Sequence, residues 1–186
     1  QLTARGEPEN LNVDTETPSI LLPPTGGAIK TEGTNMAFRR SVLVKLGGFD
    51  PAFHYYLDET DLNMRLARAG HATAIVPLGE VHHGFAANCM RNANRVPRDL
   101  FDIGASWAVF HRKHLPTPDH AAHWALLRAA ERRRLLRHLI SGGLEPRDIP
   151  RLMRSLDEGY SEGMERPLNN SVVPPDARSA FRPFPA

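Results

Sequence analysis

The chain has 186 residues, 41% hydrophobic and 24% charged, a composition typical of a folded globular protein and not of a disordered or fibrous one. The formal net charge is +2, and no apolar run approaches the roughly 18 residues expected of a transmembrane helix. The single cysteine, Cys89, excludes a disulfide framework and a zinc site built from several cysteines. The sequence begins QLTARGEPEN, which has no apolar segment of the kind found in signal peptides.

Acidic and basic side chains are unevenly distributed along the chain. Residues 1–61 carry five basic and nine acidic side chains, whereas residues 62–186 carry 18 basic and 12 acidic ones. Most of the basic side chains are arginines, which suit bidentate contact with phosphate or carboxylate but are equally common on solvated surfaces. No dense basic stripe with a recognisable motif is present, so we expect no nucleic-acid partner.

The first half of the chain predicts short strands and helices separated by turns. Residues 1–33 are polar and rich in turn-forming residues, which indicates a loop-rich lead-in. The longest predicted helix of this half is supported by Leu62, Leu66 and Ala69, which recur at helical spacing. In chain order we expect a strand at 19–22, a strand at 35–38, helices at 41–46 and 59–69, and strands at 73–76 and 80–83.

The second half of the chain predicts helices. A polar loop at 86–96 leads to Pro97, a residue favoured in the first turn of a helix. No periodicity follows Gly159, so residues 161–186 are predicted to form an extended or disordered tail unless they dock. The predicted helices cover 98–113, 121–140 and 146–156.

An acidic cluster at the start of the predicted helix 59–69 is the strongest indication of chemistry. Asp58, Glu59 and Asp61 fall within four residues. Helix N-termini favour acidic side chains because of the helix dipole and the free N–H groups, so the cluster has a purely structural interpretation. The same environment keeps a carboxylate ionised, and a fixed carboxylate can accept a proton from an attacking hydroxyl. Both interpretations remain open on this pattern alone.

Aromatic and histidine side chains flank the cluster. Tyr55 and Tyr56 could form a platform for a sugar ring or a wet boundary of the core, since each hydroxyl needs a partner. His82 and His83 end the predicted strand at 80–83, and neighbouring strand residues point to opposite faces, so one of them can face a cleft. A neutral imidazole binds divalent transition metals, although a hydrogen-bonded structural histidine is the commoner case.

Five short blocks follow one another in a fixed order between residues 33 and 84. They are G-x-N-M-A-F-R-R at 33–40, G-G-F-D at 47–50, Y-x-D-E-x-D-L-x-x-R at 56–65, A-G at 69–70, and P…V-x-H ending at His83. Together they resemble the acceptor-side half of the family 2 glycosyltransferases of the GT-A fold. The resemblance implies an α/β fold, the C-terminal part of a nucleotide-sugar transferase, with an acceptor and catalytic-base region at 34–97 and a helical C-terminal extension at 98–160.

The resemblance also implies a reaction and a set of site residues. The reaction is an inverting transfer of a sugar from a nucleotide-sugar donor to a hydroxyl of a carbohydrate or glycolipid acceptor. By position, Glu59 is the general base, with Asp58 beside it. His83 falls on the histidine that approaches the metal–diphosphate, and His82 is the less favoured ligand. The expected substrate-binding residues are Asn35, Met36, Tyr56, Asp61 and Arg65, of which Asp61 is also expected to brace the helix and Arg65 to pair with a nearby acid.

The sequence departs from the family in its first 33 residues. The nucleotide-binding half and its D-x-D metal motif have no clear counterpart, because the near match Asp14-Thr15-Glu16 lacks a preceding buried strand. We therefore expect a divalent cation, Mn²⁺ or Mg²⁺, to be ligated mostly outside this sequence, and the chain alone to show little or no turnover. The Q-x-x-R-W motif is absent, which argues against a membrane polysaccharide synthase, and we expect a cytoplasmic location, with the inner face of the membrane as an option.

Two other functional classes remain open. A non-catalytic interaction module could use the arginine-rich helices to dock on an anionic membrane surface or an acidic partner. A metal hydrolase could use the acidic cluster and the histidine pair, but their spacing matches no motif of that class. The arginines of the first alternative are Arg132, Arg133, Arg134, Arg137, Arg151 and Arg154.

Overall fold

The computed structural model describes residues 1–84, 90–92 and 94–168 and shows a mixed α/β arrangement with a small antiparallel sheet. Ser19 of the first strand lies opposite Ile75 of the second. A short 3₁₀ turn at Thr117–Asp119 leads into the longest helix. In chain order the elements are β1 (Ser19–Leu21), α1 (Arg40–Lys45), α2 (Asp58–Arg68), β2 (Thr73–Ile75), α3 (Phe101–His114), α4 (His120–Ile140) and α5 (Asp148–Gly163).

Two of the predicted strands, at 35–38 and 80–83, are not formed. Asn35 belongs to a tight turn in which its N–H donates to the carbonyl of Glu32 at 2.9 Å. The side-chain amide of Asn35 donates to the carbonyl of Gly79 at 2.7 Å, which ties the two segments together without a ladder. A strand needs a neighbour that accepts and donates along its length, and no described segment supplies one for either stretch.

The lead-in contributes to the core as well as to the surface. Leu2 exchanges two backbone hydrogen bonds with Ala28, at 2.7 and 3.1 Å, and both side chains are buried. A Cβ at Gly27 would lie 2.2 Å from the Leu2 carbonyl oxygen, so the close approach of the two segments requires glycine there. The lead-in therefore has little regular secondary structure, but some of its side chains are buried in the core.

One hydrophobic core joins the first half of the chain to α3. Phe110 and Trp107 of α3 pack in the same cluster as residues from the lead-in, the turn before α2, and α2 itself. The helical extension expected from the sequence thus contributes buried side chains to this core and is not an appendage to it. The buried members on the other side are Leu2, Ala28, Ala52, Phe53, Leu57 and Met64.

Glycines allow α3 and α5 to pack backbone against backbone. A Cβ at Gly159 would lie 1.9 Å from the carbonyl oxygen of Phe101, and one at Gly163 would lie 2.3 Å from that of Ala105. Gly104 of α3 makes a reciprocal approach, since its Cβ would lie 2.0 Å from the carbonyl oxygen of Leu156. Gly159 therefore marks a contact between helices inside α5, and the predicted end of helical periodicity at this residue is wrong.

The last helix is accordingly longer than predicted. Residues 161–163, assigned to the tail from the sequence, are helical, and Arg166 is buried, with its guanidinium donating to the carbonyl of Ala52 at 2.8 Å. Residues 169–186, the rest of the predicted tail, lie outside the described residues. The start of α3 also differs: it begins at Phe101, whose N–H donates to the Asp99 carboxylate at 3.0 Å, and not at Pro97.

A buried histidine pair links the three long helices. His111 of α3 lies 3.0 Å from His123 of α4 and 2.8 Å from the Tyr160 hydroxyl of α5, measured from its two ring nitrogens. Burial, reinforced by the neighbouring His123 and His120, lowers the pKa of His111 to about 3, so the ring is neutral near neutral pH.

No helix in the described part of the chain has both the length and the apolar character needed to cross a bilayer.

Candidate functional site

An open cleft of about 590 Å³ lies beside the start of α2. Five of its lining residues are ones that the sequence singles out, namely Tyr55, Tyr56, Asp58, Glu59 and His83. His82 is exposed and does not line it. The other lining residues come from separate turns, and no sequence pattern connects them to the acidic cluster. They are Glu32, Gly33, Thr34, His54 and Arg95.

The backbone enters α2 through two successive left-handed residues. Tyr56 has φ 76° and Leu57 has φ 67°, although neither is glycine. Each such residue costs about 1–3 kcal/mol, so the surrounding contacts must hold the turn in place. Leu57 is buried in the core, and the Tyr56 ring packs edge-on against Trp107 at 6.1 Å. The strained turn is what directs the following Asp58 and Glu59 into the cleft.

Glu59 is held in an environment that disfavours its charge. Burial, a hydrogen bond with the Asp58 side chain, and the charges of Asp58 and Glu32 raise the pKa of Glu59 to about 7. A hydrogen bond between two carboxyl groups requires a proton on one of them, and the raised pKa places that proton on Glu59. Glu59 is therefore only partly ionised near neutral pH, because burial and the neighbouring acids oppose the effect of the helix terminus.

Asp61, two residues further along α2, is fully buried and does not line the cleft. Burial alone would raise its pKa, but the hydrogen bond from His114 and the charges of Arg65 and Lys113 lower the pKa of Asp61 to about 2. The distances from Asp61 to the Arg65, Lys113 and His114 nitrogens are each 2.8 Å. Asp61 cannot touch a substrate in this position, so its assignment to substrate binding is corrected to bracing alone.

Arg65 also serves the structure and does not line the cleft. Beyond Asp61, its guanidinium donates to the carbonyls of Leu46 and Gly48, each at 2.8 Å. These bonds fasten the end of α1 and the start of the G-G-F-D block to α2. The expected pairing of Arg65 with a nearby acid is present, and its assignment to substrate binding is corrected.

The buried ion cluster pairs acidic with basic side chains. Lys113 bridges Asp61 and Asp50, at 2.8 and 2.7 Å. Burial lowers the pKa of His114, despite the neighbouring Asp61, so the imidazole is neutral and its Nε2–H donates to the carboxylate. The pairing of Asp61 with Lys113 and Arg65 offsets part of the cost of removing these charges from water.

Asn35 and Met36 line a neighbouring groove and not the cleft. The groove has a volume of about 920 Å³ and runs between the β1–β2 sheet, the segment at 30–42 and α2. The Met36 sulfur accepts a hydrogen bond from Thr31 at 3.6 Å. Glu32 lines both cavities, so the groove adjoins the cleft. Asn35 and Met36, expected to bind substrate, therefore line the adjoining groove and not the cleft that holds Glu59.

The described residues do not form a metal site by themselves. No group of three or more histidine, cysteine, aspartate or glutamate side chains among them is arranged to hold a metal ion. Asp14, in the near match to D-x-D, is occupied in its own turn: hydrogen bonds from the Thr17 hydroxyl and from the N–H groups of Glu16 and Thr17 lower the pKa of Asp14 to about 2. The described residues therefore offer no complete ligand set, and the divalent cation, expected to be ligated mostly outside this sequence, stays a prediction.

Comparison with known proteins relates one short part of the chain to glycosyltransferases. Two curated proteins match, both named N-acetylglucosaminyl-diphospho-decaprenol L-rhamnosyltransferase, from the CDC 1551 / Oshkosh and ATCC 25618 / H37Rv strains of Mycobacterium tuberculosis. Each is 39% identical over 51 residues, which is 27% of this chain and 17% of the relative. The chain thus spans about one sixth of the length of these relatives. No protein-family model and no solved structure matches the chain.

Proposed function

We propose that this chain supplies the acceptor-activating residues of an inverting glycosyltransferase of the GT-A fold, with Glu59 as the general base. The observation that carries the proposal is the position of Glu59 in an open cleft with its pKa raised to about 7 beside Asp58. A general base with a pKa near the working pH is ionised in a substantial fraction of the molecules and still binds a proton strongly enough to accept one from a hydroxyl. The partial identity to rhamnosyltransferases supports the same reaction class.

The proposed step is a direct displacement at the anomeric carbon of a nucleotide sugar. The acceptor hydroxyl gives its proton to the ionised Glu59 carboxylate as its oxygen forms a bond to the anomeric carbon. The bond from that carbon to the nucleotide diphosphate breaks on the opposite side, and the electron pair leaves with the phosphate oxygen. Asp58 stays beside Glu59 and stabilises the newly protonated carboxyl through the hydrogen bond that they share.

The other lining residues suit the two substrates. Tyr55 and Tyr56 offer ring faces and hydroxyls to a sugar acceptor, and the Tyr56 side chain is partly exposed to the cleft at 43%. Arg95, His54 and His83 offer N–H donors for phosphate oxygens. By analogy with the name of the relatives, we propose a lipid-linked sugar diphosphate as the acceptor class. A divalent cation would have to take most of its ligands from outside the described residues, and no step here depends on it.

The test is Glu59→Gln in the complete natural polypeptide, assayed with a panel of nucleotide sugars that includes a rhamnose donor. The variant keeps the shape of the side chain but cannot accept the proton, so we expect kcat to fall by about 10²–10⁴-fold with an unchanged Kd for the nucleotide sugar. Glu32→Gln is the matched control, because it removes a carboxylate from the same cleft and should retain activity above the pKa of Glu59. Equal loss in both variants, or full activity in Glu59→Gln, contradicts the assignment.

A further inference from the structure

We propose that the outward face of α4 docks on an anionic lipid surface. We define this α4 face by Leu126, Ala129, Arg133, Arg137 and Ile140. These residues recur at intervals of three or four, so they form one stripe along the helix, about 21 Å long at 1.5 Å per residue. The proposal is independent of the glycosyltransferase proposal, since the α4 face shares no residue with the cleft.

Two large apolar side chains mark the ends of the stripe. Leu126 is 59% exposed and Ile140 is 86% exposed, although the opposite side of the same helix buries Leu135 completely. The orientation of α4 is fixed by that buried side and by the bidentate pair between Arg128 and Asp157 of α5, at 2.7 and 2.9 Å. The exposed leucine and isoleucine are therefore presented outward by a helix that cannot turn them inward.

The structure divides the arginines that the sequence grouped together. Arg134 pairs with Glu131 and Arg151 with Asp148, so their charges are already matched. Arg133 and Arg137, in the middle of the stripe, are exposed and have no acidic or hydrogen-bonding partner among the described residues. Arg132, on the flank of the stripe, is in the same condition. Three unmatched guanidinium groups thus lie together on one helix.

The combination of charge and apolar ends favours a lipid headgroup region over other anionic partners. Guanidinium groups bind phosphate oxygens, and the long aliphatic part of arginine can lie along an apolar surface while its charged end stays in water. An interfacial helix also buries apolar side chains at the boundary between headgroups and acyl chains, which gives Leu126 and Ile140 a function. A nucleic acid would use the charge alone and gain nothing from these two residues.

The helix that carries the α4 face runs near one side chain of the candidate cleft. Glu131 and Arg134 of α4 are close enough to Tyr56, which lines the cleft, for their charges to act on its hydroxyl. A surface bound along α4 would therefore lie on a helix that is near the cleft.

The experiment is vesicle flotation of the 186-residue chain with phosphatidylglycerol-containing vesicles and with pure phosphatidylcholine vesicles, at low and high salt. We expect binding to the anionic vesicles only, weakened by salt because the charges are exposed. The double variant Arg133→Gln with Arg137→Gln should reduce binding by about 30-fold, since the loss of each arginine near an anionic surface should weaken binding by about five- to sixfold. The double lysine variant at the same positions should retain most of the binding, because it keeps both charges.

Matched controls separate this face from charge or hydrophobicity in general. Arg147→Gln with Arg151→Gln makes the same change in net charge on exposed, already paired arginines of the α5 end and should reduce binding by less than about threefold. Leu126→Ser with Ile140→Ser should reduce binding by about tenfold, whereas Ile20→Ser with Leu22→Ser, equally exposed positions at β1, should not. Circular dichroism and thermal melting confirm that each variant is folded.

Four outcomes would overturn the proposal. The first is binding to neutral vesicles that is as strong as binding to anionic ones, and the second is an equal loss of binding in the α4 variants and the control variants. The third is tighter binding of heparin or duplex DNA than of vesicles. The fourth is a dimer in solution that dissociates in the Leu126→Ser with Ile140→Ser variant.

Discussion

Residues 1–84 form two three-residue strands and two helices of six and 11 residues, whereas residues 101–163 form three helices of 14, 21 and 16 residues. We call these the cleft region and the helical region. The cleft region is stabilised by buried ion pairs and by side chains bonded to backbone carbonyls, as at Asp61 and Arg65. The helical region is stabilised by close backbone contact through glycines and by an apolar cluster around Leu135 and Leu156.

The difference shows what a strained site requires from its surroundings. The left-handed turn at Tyr56 and Leu57 is costly, and the cleft region has little regular structure with which to hold it. The helical region supplies the support: Trp107 packs against Tyr56, and Lys113 pairs with the buried Asp61 of α2. A rigid packed scaffold thus holds an irregular site, and perturbing either region should show which contacts matter most.

The largest effect on stability is expected from Asp61→Asn in the cleft region. The change leaves Lys113, Arg65 and His114 with one less anion in a buried place, which costs about 3–5 kcal/mol when a buried pair loses one partner. Urea unfolding measures the loss. Asp58→Asn, on the partly exposed cleft side of the same turn, should cost less than about 1 kcal/mol. Similar losses in the two variants would show that burial does not distinguish the two sides of the helix.

A smaller loss is expected from Gly159→Ala in the helical region. The new Cβ would meet the Phe101 carbonyl oxygen at 1.9 Å, so α3 and α5 must separate, at a cost of about 1–3 kcal/mol that exceeds the gain in helix propensity. Thermal melting measures the effect, with Ser161→Ala, an exposed position of the same helix, as the control. Unchanged stability in Gly159→Ala would mean that backbone contact does not hold the two helices together.

The pH dependence of stability should separate Glu59 from Asp61. The pKa of Glu59 is raised from 4.5 to about 7, so the folded state binds its proton more tightly, and its contribution, present below about 4.5, is lost as the pH rises through 7. The pKa of Asp61 is lowered from 3.8 to about 2, so its contribution, present above about 3.8, is lost as the pH falls through 2. Urea midpoints over this range should therefore decline toward neutral pH in the wild type and stay level in Glu59→Gln. A parallel decline in both proteins would assign the loss to other groups.

The smallest expected effect is a displacement of the pH profile of transfer by Asp58→Asn. Removing the Asp58 charge relieves one of the causes that raise the pKa of Glu59, so the rise of kcat/KM with pH should move toward acid by up to about one unit. Initial rates across the pH range measure the displacement. Glu32→Gln should move the profile in the same direction by less, because the Glu32 charge is the weaker cause. A displacement toward alkaline pH would contradict the charge relationship between the two acids.

Local patterns in the sequence were sufficient for several elements, whereas the roles of the site residues stay predictions. The spacing of apolar residues and the glycine after it predicted α2 to within a residue at each end, and α4 is equally close. The motif order placed Asp58, Glu59 and His83 together, and they line one cleft. The strands at 35–38 and 80–83 failed because a strand depends on a neighbour, which an isolated apolar stretch does not reveal.

The sequence by itself determined which side chains could carry chemistry, because helix periodicity, turn residues and acid clusters are local properties of the chain. Only the tertiary structure decided what each one does. Lys113 and His114, 52 and 53 residues beyond Asp61, turn that acid into a buried brace, whereas burial beside Asp58 and Glu32 gives Glu59 its raised pKa. Charge state follows from distance and burial in three dimensions, so two carboxylates that look equivalent in the sequence have opposite environments in the fold.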